Sequence, residues 1–186
     1  MLLPMAKIAF LFPGQGSQSA GMGKDAAERD SDAAHLFQRA NAELDSNFTD
    51  LCFRGPDEEL KKTENTQPAL YVASAATLKA LENEGIKPDA VAGHSLGEYT
   101  ALYAAGTFDF ETGLRLVRTR GEAFAKAGSF RPGAMSAIVG LAAEQVEEFC
   151  QKASTDKEVV VAANKNEPMQ TVISGDPPAV ERAGEM

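Results

Sequence analysis

The sequence predicts a mixed α/β protein in two parts, a larger one over residues 1–131 and a smaller one over 132–186. Three observations carry this. Residues 6–12 form a near-continuous apolar run cut off by Pro13-Gly14, the pattern of a buried parallel strand. A second apolar run, Ala90-Val91-Ala92, passes through Gly93 into a helix-like stretch over 98–105, so that strands alternate with helices. After Arg131-Pro132-Gly133 the rhythm changes to β-α-β-β-α, a split βαβ or ferredoxin-like order that lacks its last strand.

In chain order, the first strand runs into Pro13-Gly14-Gln15-Gly16-Ser17-Gln18. Ligands bind at such strand ends in α/β sheets, although a Pro-Gly turn needs no ligand. With no Gly-Lys-Ser/Thr following, it is not a phosphate loop. Residues 31–45 read as an amphipathic helix with Ala33, Leu36, Phe37, Ala40 and Leu44 on one face and His35 opposite, in solvent. Residues 56–60 form a helical turn. A longer helix follows from Thr66 or Gln67, with Pro68 at its first position, Leu70, Ala73, Thr77 and Leu81 as its buried stripe, and Gly85 as its stop. Residues 111–126 form another helix, on which Phe110, Leu114, Val117, Gly121 and Phe124 make the apolar stripe. Arg115 lies opposite that stripe, in solvent. Arg118 and Arg120 flank it, where an arginine can lay its stem on the core and turn its guanidinium inward or stay on the surface.

In the second part, 134–141 reads as a strand and 144–153 as a helix with Val146, Phe149 and Cys150 inward. Strands over 158–163 and 170–174 are joined by an Asn164-Lys165-Asn166-Glu167-Pro168 loop, and a helix starts at Pro178. A sheet that stops there has an open edge, so the chain is expected to be a piece of a longer protein.

The chain has 186 residues, 44% of them hydrophobic and 24% charged, enough for a substantial core. Asp and Glu number 27 against 18 Lys and Arg, a net charge of -9, which argues against nucleic acid or an anionic membrane as partner. Cys52 and Cys150 have no metal-like spacing and read as free thiols, and no metal site is expected. No apolar run approaches the ~20 residues of a membrane span. The N-terminus lacks the pattern of a secretory signal. The expected location is the cytoplasm.

Gly93, Ser95 and Gly97 form the pattern Gly-x-Ser-x-Gly on a strand-to-helix turn. Such a turn exposes a strained serine that serves as nucleophile in acyl-transfer enzymes. Ser95-Leu96-Gly97-Glu98 also fits Ser-x-x-Glu, a capping box that needs no chemistry, and the turn alone leaves both open. Neighbouring side chains diverge at such a turn, so His94 is poorly placed to pair with Ser95. It is expected to be partly buried and structural, or to help shape the site.

The motifs Phe12-Pro13-Gly14-Gln15-Gly16-Ser17-Gln18, Gly93-His94-Ser95-Leu96-Gly97-Glu98 and Thr119-Arg120-Gly121 occur in this order. With Asn164-Lys165-Asn166-Glu167-Pro168-Met169-Gln170 and Val172-Ile173-Ser174-Gly175, they closely resemble the malonyl-CoA:acyl carrier protein transacylase family of fatty acid synthesis. The acyltransferase domains of polyketide synthases share much of this. Met169 stands where the family often has glycine.

The resemblance implies an α/β-hydrolase-like large subdomain, incomplete here, with an inserted and incomplete ferredoxin-like small subdomain. It implies ping-pong transfer of a malonyl group from malonyl-CoA, through an ester on Ser95, to the phosphopantetheine thiol of acyl carrier protein. No cofactor is implied beyond malonyl-CoA as substrate. The backbone N–H groups of Gln15 and Leu96 would form the oxyanion hole, Arg120 would bind the malonyl carboxylate, and His94 and Asn166 would line the acyl-carrier channel. The family's catalytic histidine is expected beyond residue 186, since neither His35 nor His94 matches it. The 186 residues alone are therefore expected to be weakly active or inactive. The rivals are a serine esterase or lipase using the same elbow, a polyketide-type acyltransferase, and a non-catalytic binding module.

Overall fold

The computed structural model describes residues 7–186, whose contacts fall into two units, Met1–Lys126 and Ala127–Met186. The first unit is built around a helix with no single buried face. That helix, α5 (Thr63–Asn83), buries almost every side chain from Thr66 to Leu78. Around it lie α1 (Lys24–Arg29), α2 (Ser31–Glu43), α3 (Phe48–Arg54), α4 (Asp57–Leu60) and α6 (Gly97–Ala104). The long α7 (Phe110–Phe130) belongs to this unit up to Lys126. Apolar side chains of α2 and α7, among them Phe37, Phe110, Leu114 and Val117, close on α5. Tyr71 of α5 stacks on Phe110 with ring centroids 5.6 Å apart and donates its hydroxyl to the Phe110 carbonyl at 3.2 Å.

This central position corrects the stripe expected for α5. Thr77 is exposed and Leu81 half-buried, whereas Tyr71, Val72, Ala75 and Ala76 are buried on the other sides. A helix surrounded by others carries no one-sided apolar signal. The helix also starts at Thr63, so Pro68 falls inside it. Proline has no N–H, which leaves the Glu64 carbonyl one turn earlier without its helical donor. Arg118 of α7 supplies one instead, donating through Nη1 at 3.1 Å.

β1 (Ala9–Phe12) and β2 (Ala90–Gly93) pair in parallel, with Phe12 opposite Gly93. The parallel pairing agrees with the sequence, but the burial does not. Phe12 is buried and packs with Leu78 and Ala101, while Leu11 is 77% exposed. Among the described residues β1 has one neighbouring strand, and helices cover only the face that carries Phe10 and Phe12. Residue 6, the first of the expected strand, lies outside the described residues.

On α7, Phe110, Leu114, Val117 and Gly121 are buried as the periodicity predicts, but Phe124 is 56% exposed. Its ring instead lies under the Arg120 guanidinium, 4.7 Å from the ring centroid. Arg115 is exposed, and Arg118 and Arg120 are half-buried. Gly121 lets α7 close on the head of α5, because a Cβ there would meet the Thr63 carbonyl oxygen at 2.8 Å.

The second unit is an antiparallel sheet in the order β3-β5-β4, formed by β3 (Ala134–Val139), β4 (Val160–Glu167) and β5 (Gln170–Gly175). Helices α8 (Ala143–Ala153) and α9 (Pro177–Gly184) complete the β-α-β-β-α order. Val146, Cys150 and Ala153 of α8 pack with Val160, Ile173, Ala179, Val180 and Ala183. The expected loop over 164–168 is instead mostly strand. β4 continues to Glu167 with irregular register after Ala162 and after Lys165, leaving only Pro168-Met169 as the turn. These residues have low strand propensity. Pairing with β5 along a largely exposed edge holds them there, where polar side chains bear no burial cost.

Cys52 and Cys150 are free and buried, and burial pushes the Cys52 thiol up to about 12. No described helix is long and apolar enough to cross a membrane.

Several carboxylates are held below their ordinary range by what they accept. Asp30 caps α2 by accepting the Ala33 N–H at 2.8 Å, and it also accepts from Asn83. Glu111 takes a two-pronged contact from Arg39 at 2.6 Å. Asp176 accepts the Val159 N–H at 2.8 Å and pairs with Arg131. A carboxylate depressed in the folded state stabilises above its unfolded pKa, and that contribution is lost as the pH falls through the folded value. The thermal midpoint is therefore expected to vary little from pH 7 to pH 5 and to fall below about pH 4. A midpoint still level at pH 3 would contradict this.

Candidate active site

β2 ends at Gly93 and α6 begins at Gly97, so the chain must turn into a helix within three residues. It does so by placing Ser95 at φ 53°, in the left-handed region that L side chains adopt only with strain. The turn closes so tightly that a Cβ on Gly93 would strike the backbone of Gly97 and Glu98. A Cβ on Gly97 would strike the Phe12 carbonyl and come within 2.9 Å of the Pro13 oxygen. Leu96 is 1% exposed and anchors the turn in the core, leaving the Ser95 side chain half-buried at its crest.

This geometry removes the capping-box reading. The N-cap of α6 is Leu96, with no side-chain cap, and the Glu98 N–H donates to the Ser95 backbone carbonyl at 3.3 Å. The Ser95 hydroxyl is engaged elsewhere. Arg120 Nη2 donates to its Oγ at 3.0 Å across 25 residues of sequence. The inward flank position on α7 is the one Arg120 takes.

The guanidinium is held on several sides. Nη1 donates to Gln67 Oε1 at 2.7 Å, and the charge lies 5.8 Å from the centroid of the Tyr99 ring as well as over Phe124. Arg39, Arg115, Arg118, Arg131 and Arg182 each pair with a carboxylate. Arg120 has no carboxylate partner among the described residues. Tyr99, Leu116, Thr119 and Ala123 line an open, mostly apolar concavity of about 400 Å³ beside it. A similar one of about 410 Å³, between β1 and α5, includes neither Ser95 nor Arg120.

Gln15 lies in the exposed loop after β1, beside the elbow. A Cβ on Gly14 would meet the His94 carbonyl oxygen at 2.7 Å and its Nδ1 at 2.8 Å, so loop and turn are in contact. The His94 N–H donates to the Phe12 carbonyl at 3.0 Å. His94 is exposed rather than partly buried, with its ring beside Gly14. The Gln15 side chain accepts from Thr63 Oγ1 at 3.0 Å, and Thr63 in turn accepts from Gln67 Nε2 at 3.0 Å. The N–H groups of Gln15 and Leu96 have no acceptor among the described residues.

Gln67 and Thr63 are the polar residues that sequence reasoning missed. Gln67 is 1% exposed, and the sequence marks it only as a helix start. His35 sits on the exposed face of α2, as expected. Asn166 belongs to the second unit, on β4, where its amide donates to Gln170 Oε1 at 3.1 Å. Among the described residues no group of three or more His, Cys, Asp or Glu is placed to hold a metal ion.

The family model of the acyl transferase domain matches residues 9–185. The malonyl CoA-acyl carrier protein transacylase of Bacillus subtilis is 47% identical over 182 residues, which are 98% of this chain and 57% of that protein. The polyketide biosynthesis malonyl CoA-acyl carrier protein transacylase BaeC of Bacillus velezensis is 47% identical over 177 residues, 95% of this chain and 58% of its own length. The solved malonyl CoA-acyl carrier protein transacylase of Coxiella burnetii superposes with a TM-score of 0.89 at 42% identity, over 95% of this chain and 56% of that one. A type II polyketide acyl carrier protein in complex with its malonyl-transacylase gives a TM-score of 0.88 at 41% identity, over 97% of this chain and 58% of that one. The chain thus spans somewhat more than half the length of the curated relatives it matches. With the elbow serine and the inward arginine in one site, and with this match over nearly all its length, the chain belongs to the acyl transferase domain family.

Proposed function

We propose that this chain carries the acyl-accepting site of a malonyltransferase, which moves a malonyl group from malonyl-CoA to the phosphopantetheine thiol of an acyl carrier protein in fatty acid synthesis. The carrying observation is an arginine without a carboxylate partner among the described residues, 3.0 Å from a strained elbow serine. The names of the relatives support the substrate and the partner. The topology supports an α/β-hydrolase-like character for the first unit and a ferredoxin-like one for the second, whose order β3-β5-β4 is three strands of that arrangement.

In this reading Ser95 Oγ attacks the thioester carbonyl of malonyl-CoA. The C–O bond forms, and the carbonyl oxygen takes the negative charge of a tetrahedral intermediate. The N–H groups of Leu96 and Gln15 hold that charge. The C–S bond then breaks, and the coenzyme A thiol leaves with the proton that the serine gave up to a base. The base matches neither His35 nor His94; the family resemblance expects it beyond residue 186. The second half repeats the steps in reverse, with the carrier thiol attacking the Ser95 ester. Arg120 turns from Ser95 Oγ to the malonyl carboxylate, whose two oxygens match its planar fork.

Arg120→Ala tests this against an esterase with the same elbow. The rate of Ser95 acylation by malonyl-CoA, followed by intact mass, is expected to fall about 100-fold or more, with acylation by acetyl-CoA changed severalfold at most. Equal losses with both donors would remove Arg120 from carboxylate recognition and the malonyltransferase reading with it.

A further inference from the structure

Arg120 is itself aimed by a chain of hydrogen bonds that ends on the loop carrying Gln15. Arg120 Nη1 donates to Gln67 Oε1, Gln67 Nε2 to Thr63 Oγ1, and Thr63 Oγ1 to Gln15 Oε1, at 2.7, 3.0 and 3.0 Å. The two ends of a glutamine amide have nearly the same shape and opposite polarity. Reversed, the Gln67 amide would turn its NH₂ toward a guanidinium that has only donors to offer. Thr63 guards the same choice from the other side. Its single hydroxyl proton is committed to Gln15, so it presents a lone pair to Gln67 and accepts only the NH₂ end. Gln67 is 1% exposed, too deep for bulk water to take the place of a lost partner. Thr63 also meets α7 directly, since its carbonyl oxygen is the atom that Gly121, next to Arg120, approaches.

We propose that Thr63 is a positioning residue of the carboxylate site. It fixes the Gln67 amide, the amide fixes Arg120, and the carboxylate of the acyl donor meets a guanidinium already aimed. This rests on the reading of Arg120 as the carboxylate-binding group. A threonine that only began α5 would leave substrate discrimination untouched when its hydroxyl was replaced by a methyl group of the same shape.

The test is the dissociation constants of malonyl-CoA and acetyl-CoA, measured by titration calorimetry on the full chain carrying Ser95→Ala, which cannot be acylated, as the parent, and on the same chain with Thr63→Val, Thr63→Ser or Arg120→Ala added. Both ligands are run on each preparation, so any loss of folded protein cancels in their ratio. Thr63→Val is expected to weaken malonyl-CoA about tenfold and acetyl-CoA less than about threefold. Thr63→Ser, which keeps the hydroxyl, is expected to retain the parent's preference. The inference falls if Thr63→Val keeps that preference, or weakens both ligands equally, while Arg120→Ala abolishes it. If the parent chain shows no preference for malonyl-CoA, the reading of Arg120 falls and takes the inference with it.

Discussion

Gly97→Ala is expected to unfold the first unit rather than trim its activity. The added methyl group would enter the Phe12 carbonyl, with the Phe12 carbon at 2.7 Å and the Pro13 oxygen at 2.9 Å. All of these are backbone atoms of β1 and the loop after it, so no side chain can swing away. Relief requires β1 to separate from the head of α6, which breaks the pairing that seats the elbow. The loss is expected to exceed about 3 kcal/mol, a large share of the 5–15 kcal/mol of an ordinary domain. Gly128→Ala is the control, because a Cβ there meets nothing within 4 Å. On α7 it is expected to be neutral or stabilising by up to about 1 kcal/mol. Urea midpoints followed by circular dichroism separate the two, and a Gly97→Ala midpoint near that of the parent would refute the account of the elbow.

Ser95→Ala is expected to abolish covalent loading, with no malonyl group on any peptide containing residue 95 after incubation with malonyl-CoA. Any remaining transfer is expected to be slower by about 10⁴-fold or more, since the ester intermediate can no longer form. The same position predicts an opposite effect on stability. At φ 53° a side chain is strained and glycine is not, so Ser95→Gly is expected to raise the unfolding free energy by about 1 kcal/mol while losing all loading. Labelling that survives in either variant would move the nucleophile elsewhere.

Periodicity was most legible where an element buries one face. On α2, Ala33, Leu36, Phe37 and Ala40 are buried and His35 is exposed, as their spacing predicts. It failed on α5, because a helix wrapped on all sides has no polar face to set the phase. It failed on β4, where Asn164 to Glu167 are polar and strand pairing is imposed by β5 rather than by their own preference. At the site, glycine spacing marked the turn at Ser95, and the flank position allowed Arg120 to point inward. Gln67 and Thr63 stayed hidden because nothing local distinguishes them. Their significance comes from α7 folding back over the head of α5, which puts Arg120 within reach of a glutamine 53 positions earlier. The capping motif misled for the converse reason. Ser-x-x-Glu describes a local preference, and here the tertiary partner of Ser95 prevails over it.

The register that pairs Phe12 with Gly93 makes the loop bearing Gln15 and the turn bearing Ser95 leave neighbouring strands at the same end. Their separation starts from the interstrand spacing, about 4.8 Å, a property of the peptide backbone that every sequence shares. Substitutions along β1 and β2 that preserve the pairing therefore change the packing beneath the two loops and leave the gap between them as it was. A lineage of such proteins can drift in the one while inheriting the other unaltered.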